Sequence, residues 1–235
     1  KKMADIHYLD NPLETEELLE LLCPPVRNWF KDKFPDFTDP QKLAIPAIMD
    51  QEHLLLCSPT GSGKTLTAFL TIIDQLVRRA LDNKLDKRVY CVYISPIKAL
   101  ANDIQRNLIG PLTEISETYL PSRAQEIRVG LRTGDTPQSE RQKMLRNPPH
   151  ILITTPESLA IAITSPRFQP IVSEVEYMIV DELHSLVPTK RGVHLALTLS
   201  YLDTLLNRPV QRIGISATME PLETVAEYLV SSDDR

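Results

Sequence analysis

The 235-residue sequence predicts an α/β fold: a mostly parallel sheet with helices on both faces. Three observations indicate this class. Strand-like apolar runs alternate with longer helical patterns, which is the order of repeated β–α units. The inner runs, such as 89–94 and 175–180, are continuously apolar, as expected of strands buried on both faces. Polar clusters follow several strands directly, at the edge of an open sheet where ligands bind.

The elements follow from periodicity, β-branched content and breakers. The predicted strands are 53–57, 89–94, 127–131, 150–154, 175–180 and 210–215. The predicted helices are 13–22, 26–34, one capped by Thr38 or Asp39 and running to 48, 66–81, 99–109, 137–145, 157–163, 193–206 and 221–229. Prolines at 24, 25, 96 and 156 end the elements before them. Because the chain shows neither an internal repeat nor a Gly/Ser-rich linker, we expect one domain at 37–235 and a helical lead-in at 1–36.

Composition excludes several classes of protein. No apolar run approaches 18 residues and the N-terminus lacks a signal-like apolar core, so we expect no membrane contact and a cytoplasmic location. Cys23, Cys57 and Cys91 are odd in number and lack C-x-x-C spacing, which argues against a disulfide framework or a zinc site. A net charge of −5 excludes a generally basic surface, so any nucleic-acid contact must be local.

The segment Ser58–Thr65 lies between the first strand and the next helix. A glycine-containing loop in that position aims backbone N–H groups and the positive end of a helix dipole at a phosphate. Lys64 would reach the β- and γ-phosphates of a nucleotide, and the Thr65 hydroxyl would ligate Mg²⁺. Ser58 stands where this pattern usually has glycine, although two later glycines still permit the turn; the alternative is a plain connecting turn. The residues predicted to contact the nucleotide here are Pro59, Thr60, Gly61, Ser62, Gly63, Lys64 and Thr65.

A second cluster, Asp181-Glu182-Leu183-His184, follows the apolar run 177–180. An acid at a strand end beside a phosphate loop can hold the Mg²⁺ that Thr65 also contacts, so we assign the metal to Thr65 and Asp181. The adjacent Glu182 can orient and deprotonate an attacking water. Taken alone, the cluster would be read as a solvated acidic turn; the upstream loop favours hydrolysis.

A third cluster, Ser216-Ala217-Thr218, follows the run 213–215. The Ser216 and Thr218 hydroxyls could hydrogen-bond the region around Asp181 and His184 and so couple it to the nucleotide state. The alternative is that Thr218 merely caps the last helix, which is the stronger interpretation of this cluster in isolation.

Together these clusters resemble motifs I, II and III of the first RecA-like motor domain of superfamily 2 helicases, the second being of the DExH type. The resemblance implies a RecA-like P-loop NTPase domain that uses ATP and Mg²⁺, with Lys64, Asp181, Glu182 and His184 as its catalytic set. The segment from Phe37 to Gln41 is similar to a Q-type motif, which implies that Gln41 reads the adenine edge. Phe37, in preference to Phe34, would stack on the base; the alternative is that both rings are core.

Three further segments resemble helicase motifs that contact the nucleic-acid backbone. Ser95–Leu100 looks like motif Ia, Thr154–Leu159 like motif Ib, and Thr133–Asp135 like the short motif between them. Such contacts position a strand without reading its sequence. The alternative is ordinary turn punctuation. The predicted nucleic-acid contacts are Ser95, Pro96, Lys98, Thr133, Gly134, Asp135, Thr155, Pro156, Lys190 and Arg191.

The stretches 137–144, 148–159 and 190–195 narrow the resemblance to the Lhr (large helicase-related) family. That resemblance implies ATP-dependent 3′-to-5′ movement on single-stranded or tailed DNA or RNA; it does not choose between the two. The family's second RecA domain, with its arginine finger, lies outside these residues and would be a partner in the parent chain. Since such a finger contributes on the order of 10³–10⁵ in rate, we expect a monomeric fragment that binds nucleotide but turns it over poorly. The alternatives are a nucleotide-gated nucleic-acid-binding module and a phosphotransferase.

Overall fold

The computed structural model describes residues 5–59, 63–97 and 101–230. Within these ranges six parallel strands form one sheet in the order β1-β6-β5-β2-β4-β3. The strands are β1 (Leu54–Cys57), β2 (Cys91–Ile94), β3 (Val129–Arg132), β4 (Ile151–Thr154), β5 (Tyr177–Val180) and β6 (Gln211–Ser216). All the carboxyl ends therefore lie along one edge of the sheet.

Twelve α-helices occur in the described residues, two of them prolonged by π-helical turns. They are α1 (Thr15–Leu21), α2 (Pro24–Lys33), α3 (Asp39–Met49), α4 (Lys64–Leu81), α5 (Ala101–Ile104), α6 (Gly110–Glu114), α7 (Gln138–Arg146), α8 (Pro156–Ala162), α9 (Gln169–Val172), α10 (Leu183–Leu186), α11 (Lys190–Leu205) and α12 (Leu222–Val230). The π-helical turns, Gln105–Ile109 and Ile115–Tyr119, follow α5 and α6. None of the described helices is long and apolar enough to cross a membrane.

Alternate residues of the strands belong to two separate apolar cores, one on each face of the sheet. Cys91 and Tyr93 of β2 pack with the helices α1 to α6, whereas Val92 and Ile94 pack with α7 to α12. Successive side chains of a strand point to opposite faces, so a continuous apolar run serves both cores. The predicted parallel sheet with helices on both faces is confirmed.

The N-terminal helices pack into the first of these cores. Leu18, Val26 and Trp29 are buried in it. The buried carboxylate of Asp74, on α4, accepts the backbone N–H of Cys23 at 2.6 Å and so caps the start of α2. The division of the chain at residue 37 stays a prediction.

Several helices differ from the expected ones. The helix expected at 99–109 is described only from Ala101, and helical structure continues past Gly110 to Tyr119. Gly110 follows a π-helical turn, and a Cβ there would lie 2.8 Å from the Gln105 carbonyl oxygen. This glycine therefore permits close packing of the backbone and does not end the helix. The short helices α9 and α10 were not predicted, because four residues are too few to show a helical period.

Candidate nucleotide and nucleic-acid site

The sequence clusters occupy two halves of the carboxyl edge. The loop after β1, the Ser216 cluster after β6 and the Asp181 cluster after β5 lie at neighbouring positions. Strands are spaced about 4.8 Å apart and β6 lies between β1 and β5, so the ends of β1 and β5 are about 10 Å from each other. A nucleoside triphosphate with a water can span that distance. The segments after β2, β4 and β3 form the other half. The topology thus separates the predicted nucleotide residues from the predicted nucleic-acid residues.

The phosphate loop is described at its two ends; the predictions for Thr60, Gly61 and Ser62 lie outside the described residues. Gly63 precedes α4 in the left-handed region, at a φ of 73°, which favours glycine. Lys64 is the first residue of α4, and its Nζ donates to the carbonyl oxygens of Ser58 and, at 3.3 Å, of Pro59. The ammonium group therefore folds back over its own loop and must leave these carbonyls to reach a phosphate.

Asp181 directly follows β5, and its side chain is buried with the carboxylate turned into the protein. Its Oδ2 accepts a hydrogen bond from the hydroxyl of Tyr93, and its Oδ1 accepts the backbone N–H of Glu182 at 2.7 Å. Burial raises the pKa of Asp181 above its ordinary value, while these two hydrogen bonds and the charge of Lys64 oppose the rise. Sequence reasoning missed Tyr93; the predicted strand 89–94 contains two tyrosines, and only the pairing of β2 with β5 shows which of them meets Asp181.

Glu182 and His184 form a connected pair. Glu182 has a φ of 55°, which is uncommon for a residue with a side chain, and its Oε2 lies 2.9 Å from Nε2 of His184. The Nδ1 atom of His184 accepts the backbone N–H of Ala217 at 2.9 Å. Because that nitrogen accepts, the ring proton lies on Nε2 and is donated to Glu182. One histidine thus joins the ends of β5 and β6.

The link from the Ser216 cluster differs from the predicted one. It was expected to run through the hydroxyls of Ser216 and Thr218, but the contact with His184 is made by the backbone of Ala217. The Ser216 hydroxyl donates to the Ala217 carbonyl at 2.8 Å, and Thr218 is exposed. A backbone amide is present at every residue, so no side-chain pattern could have indicated it.

The Q-type segment begins α3. Thr38 caps this helix, and the Gln41 side chain completes a capping box by accepting the Thr38 N–H at 2.8 Å through Oε1. Phe37 is 5% exposed and its ring stacks on Phe30, with centroids 4.0 Å apart. The prediction that Phe37 stacks on a base is therefore replaced by its alternative, a ring packed in the core.

In the second half of the carboxyl edge, several side chains that were predicted to contact nucleic acid bond the protein's own backbone. Ser95 is fully buried, and its Oγ accepts the Ile97 N–H at 3.3 Å. Thr155 and Pro156 are buried, and the Thr155 hydroxyl caps α8 by accepting the Ser158 N–H at 3.3 Å. Because these side chains already bond the loops, contacts from the loops to a nucleic-acid strand would come largely from the protein backbone.

The turn Thr133–Asp135 is closed by side chains that were not predicted. The Thr136 hydroxyl accepts the Thr133 N–H at 2.9 Å, and Arg141 donates to the Thr133 carbonyl at 3.0 Å. The Asp135 N–H in turn donates to the Thr133 hydroxyl at 3.2 Å. An arginine on α7 is thus part of this loop.

The two predicted cations at the start of α11 differ from each other. Arg191 donates to both oxygens of Glu157, at 2.6 and 3.0 Å, and to the Pro96 carbonyl at 3.0 Å. It therefore joins the loops after β2 and β4, and its guanidinium hydrogen bond lowers the pKa of Glu157. Lys190 is exposed. The prediction for Lys98 lies outside the described residues.

Comparison with known proteins agrees with this arrangement. Residues 38–227 match the DEAD/DEAH box helicase family, and the chain belongs to that family. Within it, the chain is homologous over nearly its whole length to Lhr helicases, which confirms the resemblance seen in the sequence.

The similarity is high but covers only part of each relative. The chain is 50% identical over 232 residues to the ATP-dependent helicase Lhr-Core of Methanocaldococcus jannaschii, covering 98% of this chain and 27% of that protein. It is 46% identical over 228 residues to the Lhr helicase/uracil glycosylase of Escherichia coli, covering 94% of this chain and 15% of that protein. The structure of Mycobacterium smegmatis helicase Lhr bound to ssDNA and AMP-PNP matches with a TM-score of 0.80 at 45% identity, covering 90% of this chain and 27% of that one. The chain thus spans 27% or less of the length of these relatives.

Proposed function

We propose that this chain is the first motor domain of an ATP-dependent nucleic-acid helicase or translocase, with ATP hydrolysis coupled to 3′-to-5′ movement on DNA or RNA. The observation that carries the proposal is the hydrogen-bonded series Glu182, His184 and Ala217. It holds a carboxylate beside the nucleotide half of the edge and connects it to the adjoining strand end. Structural relatives include a helicase bound to ssDNA and AMP-PNP.

The nucleotide is held from the loop and from α3. Lys64 leaves the loop carbonyls and bonds the β- and γ-phosphates, which exchanges neutral acceptors for charged ones. The Gln41 oxygen is engaged by Thr38, so its amide N–H groups are available to donate to an acceptor on the adenine edge.

The donor set fits Mg²⁺ held jointly with the nucleotide. The described residues contain no cluster of three or more His, Cys, Asp or Glu side chains able to hold a metal alone. Mg²⁺ usually takes one or two protein oxygens with phosphate oxygens and waters, and Asp181 with Thr65 supply that number. When bound, the ion neutralises charge on the transferred phosphate. Tyr93 and the Glu182 N–H fix the orientation of the Asp181 carboxylate.

Glu182 orients the water that attacks the γ-phosphate and takes its proton. His184 donates to one of its oxygens and fixes the carboxylate, and Ala217 fixes the imidazole. Movement of the β6 loop would shift His184 and hence Glu182, which gives a route for coupling between nucleotide state and loop position.

Single-stranded nucleic acid crosses the second half of the edge. The loops 95–97, 133–135 and 155–157, together with Lys98 and Lys190, contact its backbone, and Arg191 holds two of these loops in register. Phosphate contacts of this type give salt-sensitive binding with little sequence preference. The relatives' greater length leaves room for a second RecA domain in the parent chain, which would supply an arginine finger. We therefore expect slow turnover by these residues alone.

The substitution Glu182→Gln tests the proposal. It keeps the size of the side chain and removes the base, so single-turnover hydrolysis of ATP should fall about 10²- to 10⁴-fold, while binding of a fluorescent ATP analogue is retained. The matched control is Glu126→Gln, an exposed residue ahead of β3, which should leave both measurements unchanged.

Two outcomes would overturn the assignment. Transfer of the γ-phosphate to an acceptor other than water would make the chain a phosphotransferase. Hydrolysis at the same rate in Glu182→Gln and the unsubstituted protein would remove Glu182 from the reaction, and binding of ATP with no hydrolysis in either would favour a nucleotide-gated binding module.

A further inference from the structure

Arg132, the last residue of β3, is a buried cation with no carboxylate partner among residues 5–59, 63–97 and 101–230. It is 9% exposed, and its one recorded contact through the guanidinium is the face of Phe168, with the guanidinium carbon 5.2 Å from the ring centroid. In the part of the chain that the structure describes, no hydrogen bond or ion pair of this guanidinium is found. A guanidinium carries five N–H donors, and buried arginines are normally paired.

Arg141 brings a second cation to the same place. Its Nη2 donates to the Thr133 carbonyl at 3.0 Å, and its buried Nε has no hydrogen-bond partner among the described residues. Burial lowers the pKa of Arg132, and the charge of Arg141 lowers it further, so the two side chains repel each other. Two like charges in a partly buried site raise the free energy of the folded protein unless an anion binds between them.

The pair lies where a nucleic-acid strand is proposed to pass. Arg132 directly precedes the turn Thr133–Asp135, and its carbonyl accepts the Thr154 hydroxyl at 2.8 Å, at the end of β4. The Arg141 guanidinium and the Arg132 backbone are therefore at the carboxyl edge, beside two loops of the nucleic-acid half, and the Arg132 guanidinium extends from there against Phe168.

We propose that Arg132 and Arg141 form a phosphate-binding site for the backbone of the bound strand. This inference rests on the proposed function. The ligand is a phosphate diester, bound through the donors that the protein leaves unused; a planar guanidinium matches two phosphate oxygens at once. The two guanidinium groups then lie beside the turn Thr133–Asp135. The Arg141 bond to the Thr133 carbonyl holds this turn in place next to the nucleic acid.

The test is Arg132→Met, which keeps an apolar stem against Phe168 and removes the charge. Binding of a homopolymer strand, dT or rU of about 15 nucleotides, should weaken about tenfold. The slope of log K against log[salt] should fall by about 0.7, the value for one phosphate contact to a single strand. The free protein should unfold at the same urea concentration or a higher one, since a buried unpaired charge is gone.

The matched control is Arg146→Met on α7, an exposed arginine that makes the same change in net charge. It should leave the salt slope unchanged. If Arg132 serves only packing, Arg132→Met will keep both strand affinity and salt slope, and the inference is overturned. If inorganic pyrophosphate raises the urea midpoint through Arg132 and the nucleic-acid strand does not, the site binds a free phosphate, and the inference is likewise overturned. If the unsubstituted protein fails to bind either strand, the proposed function itself fails.

Discussion

At the amino edge of the sheet Glu176 lies against three arginine side chains, whereas at the carboxyl edge Asp181 and Glu182 form no ion pair with any described arginine. Arg79, Arg88 and Arg208 approach Glu176 to 2.9, 3.4 and 3.3 Å. Acidic residues thus flank the two ends of the same strand, β5. Among the described residues, the two edges differ in whether their carboxylates are paired with arginine.

The amino edge is closed by its own contacts. The Tyr90 ring has the guanidinium carbons of Arg79 and Arg88 at 4.9 and 3.8 Å from its centroid. The side chain of Gln211 donates to the carbonyls of Ile48 and Glu52 at 3.1 and 2.7 Å. Polar residues at strand starts therefore join elements of the fold and stabilise it.

The carboxyl edge has donors that its own contacts use poorly. Lys64 is held by carbonyls of a loop, and no carboxylate among the described residues pairs with Arg132. Unpaired charge of this kind collects at functional sites because a ligand completes it. The difference gives a rule for this chain: substitutions at the carboxyl edge should alter binding, and substitutions at the amino edge should alter stability.

The largest expected effect is on binding at the carboxyl edge. Lys64→Ala removes the ammonium that reaches the phosphates, so affinity for a fluorescent ATP analogue should fall on the order of 10²-fold, about 2.7 kcal/mol. The urea midpoint of the free protein should hardly move, because the lost bonds join Lys64 only to its own loop. Lys190→Ala is the matched control and should leave nucleotide affinity unchanged. A large fall in the urea midpoint of Lys64→Ala would break the distinction between the edges.

The second effect is on stability at the amino edge. Glu176→Gln leaves three guanidinium groups around a neutral amide, which should lower the free energy of unfolding by about 2 kcal/mol. That figure is below the usual cost for a buried pair because the Arg79 and Arg208 side chains are 37% and 41% exposed. Urea unfolding measures it, with nucleotide affinity expected to stay constant.

Glu174→Gln provides the control for Glu176→Gln. Its carboxylate accepts a hydrogen bond from Asn207 at 2.8 Å, which an amide oxygen can also accept. Equal loss of stability in both variants would show that the arginine cluster contributes nothing specific.

The sequence predicted the fold because its signals are local and repeated. The apolar runs gave the strands, and the position of each polar cluster directly after a run placed Lys64 and Asp181 on one edge. Residues whose role depends on a distant partner were missed. Tyr93 acts on Asp181 from the neighbouring strand, 88 positions earlier in the chain, and Arg141 acts on a turn eight positions earlier. Phe37 was misassigned, because an aromatic residue near a motif looks the same in sequence whether it faces a base or Phe30.

The smallest effect is a pH dependence of stability at the amino edge. His150, just before β4, accepts the Arg128 N–H through Nδ1 at 2.9 Å, and that acceptor is lost when the ring is protonated. Burial lowers the pKa of His150 from 6.5 to about 4, with the charge of Arg128 adding to the shift. Between these two values the unfolded chain binds a proton that the folded one does not. Stability from this residue is therefore present above pH 6.5 and declines as the pH falls towards 4.

The decline is at most about 3 kcal/mol from the pKa shift, and about 1–2 kcal/mol once solvent screening is included. His150→Asn places a non-titrating acceptor where Nδ1 lies, so its urea stability should depend less steeply on pH over this range. His53→Asn is the control: its Nδ1 likewise accepts a backbone N–H, from Arg212 at 3.0 Å, but His53 is exposed. The same pH slope in the unsubstituted protein and His150→Asn would mean that the folded protein accommodates a charged His150. The amino edge would then be less tightly closed than its contacts indicate, and the contrast with the carboxyl edge would rest on Glu176 alone.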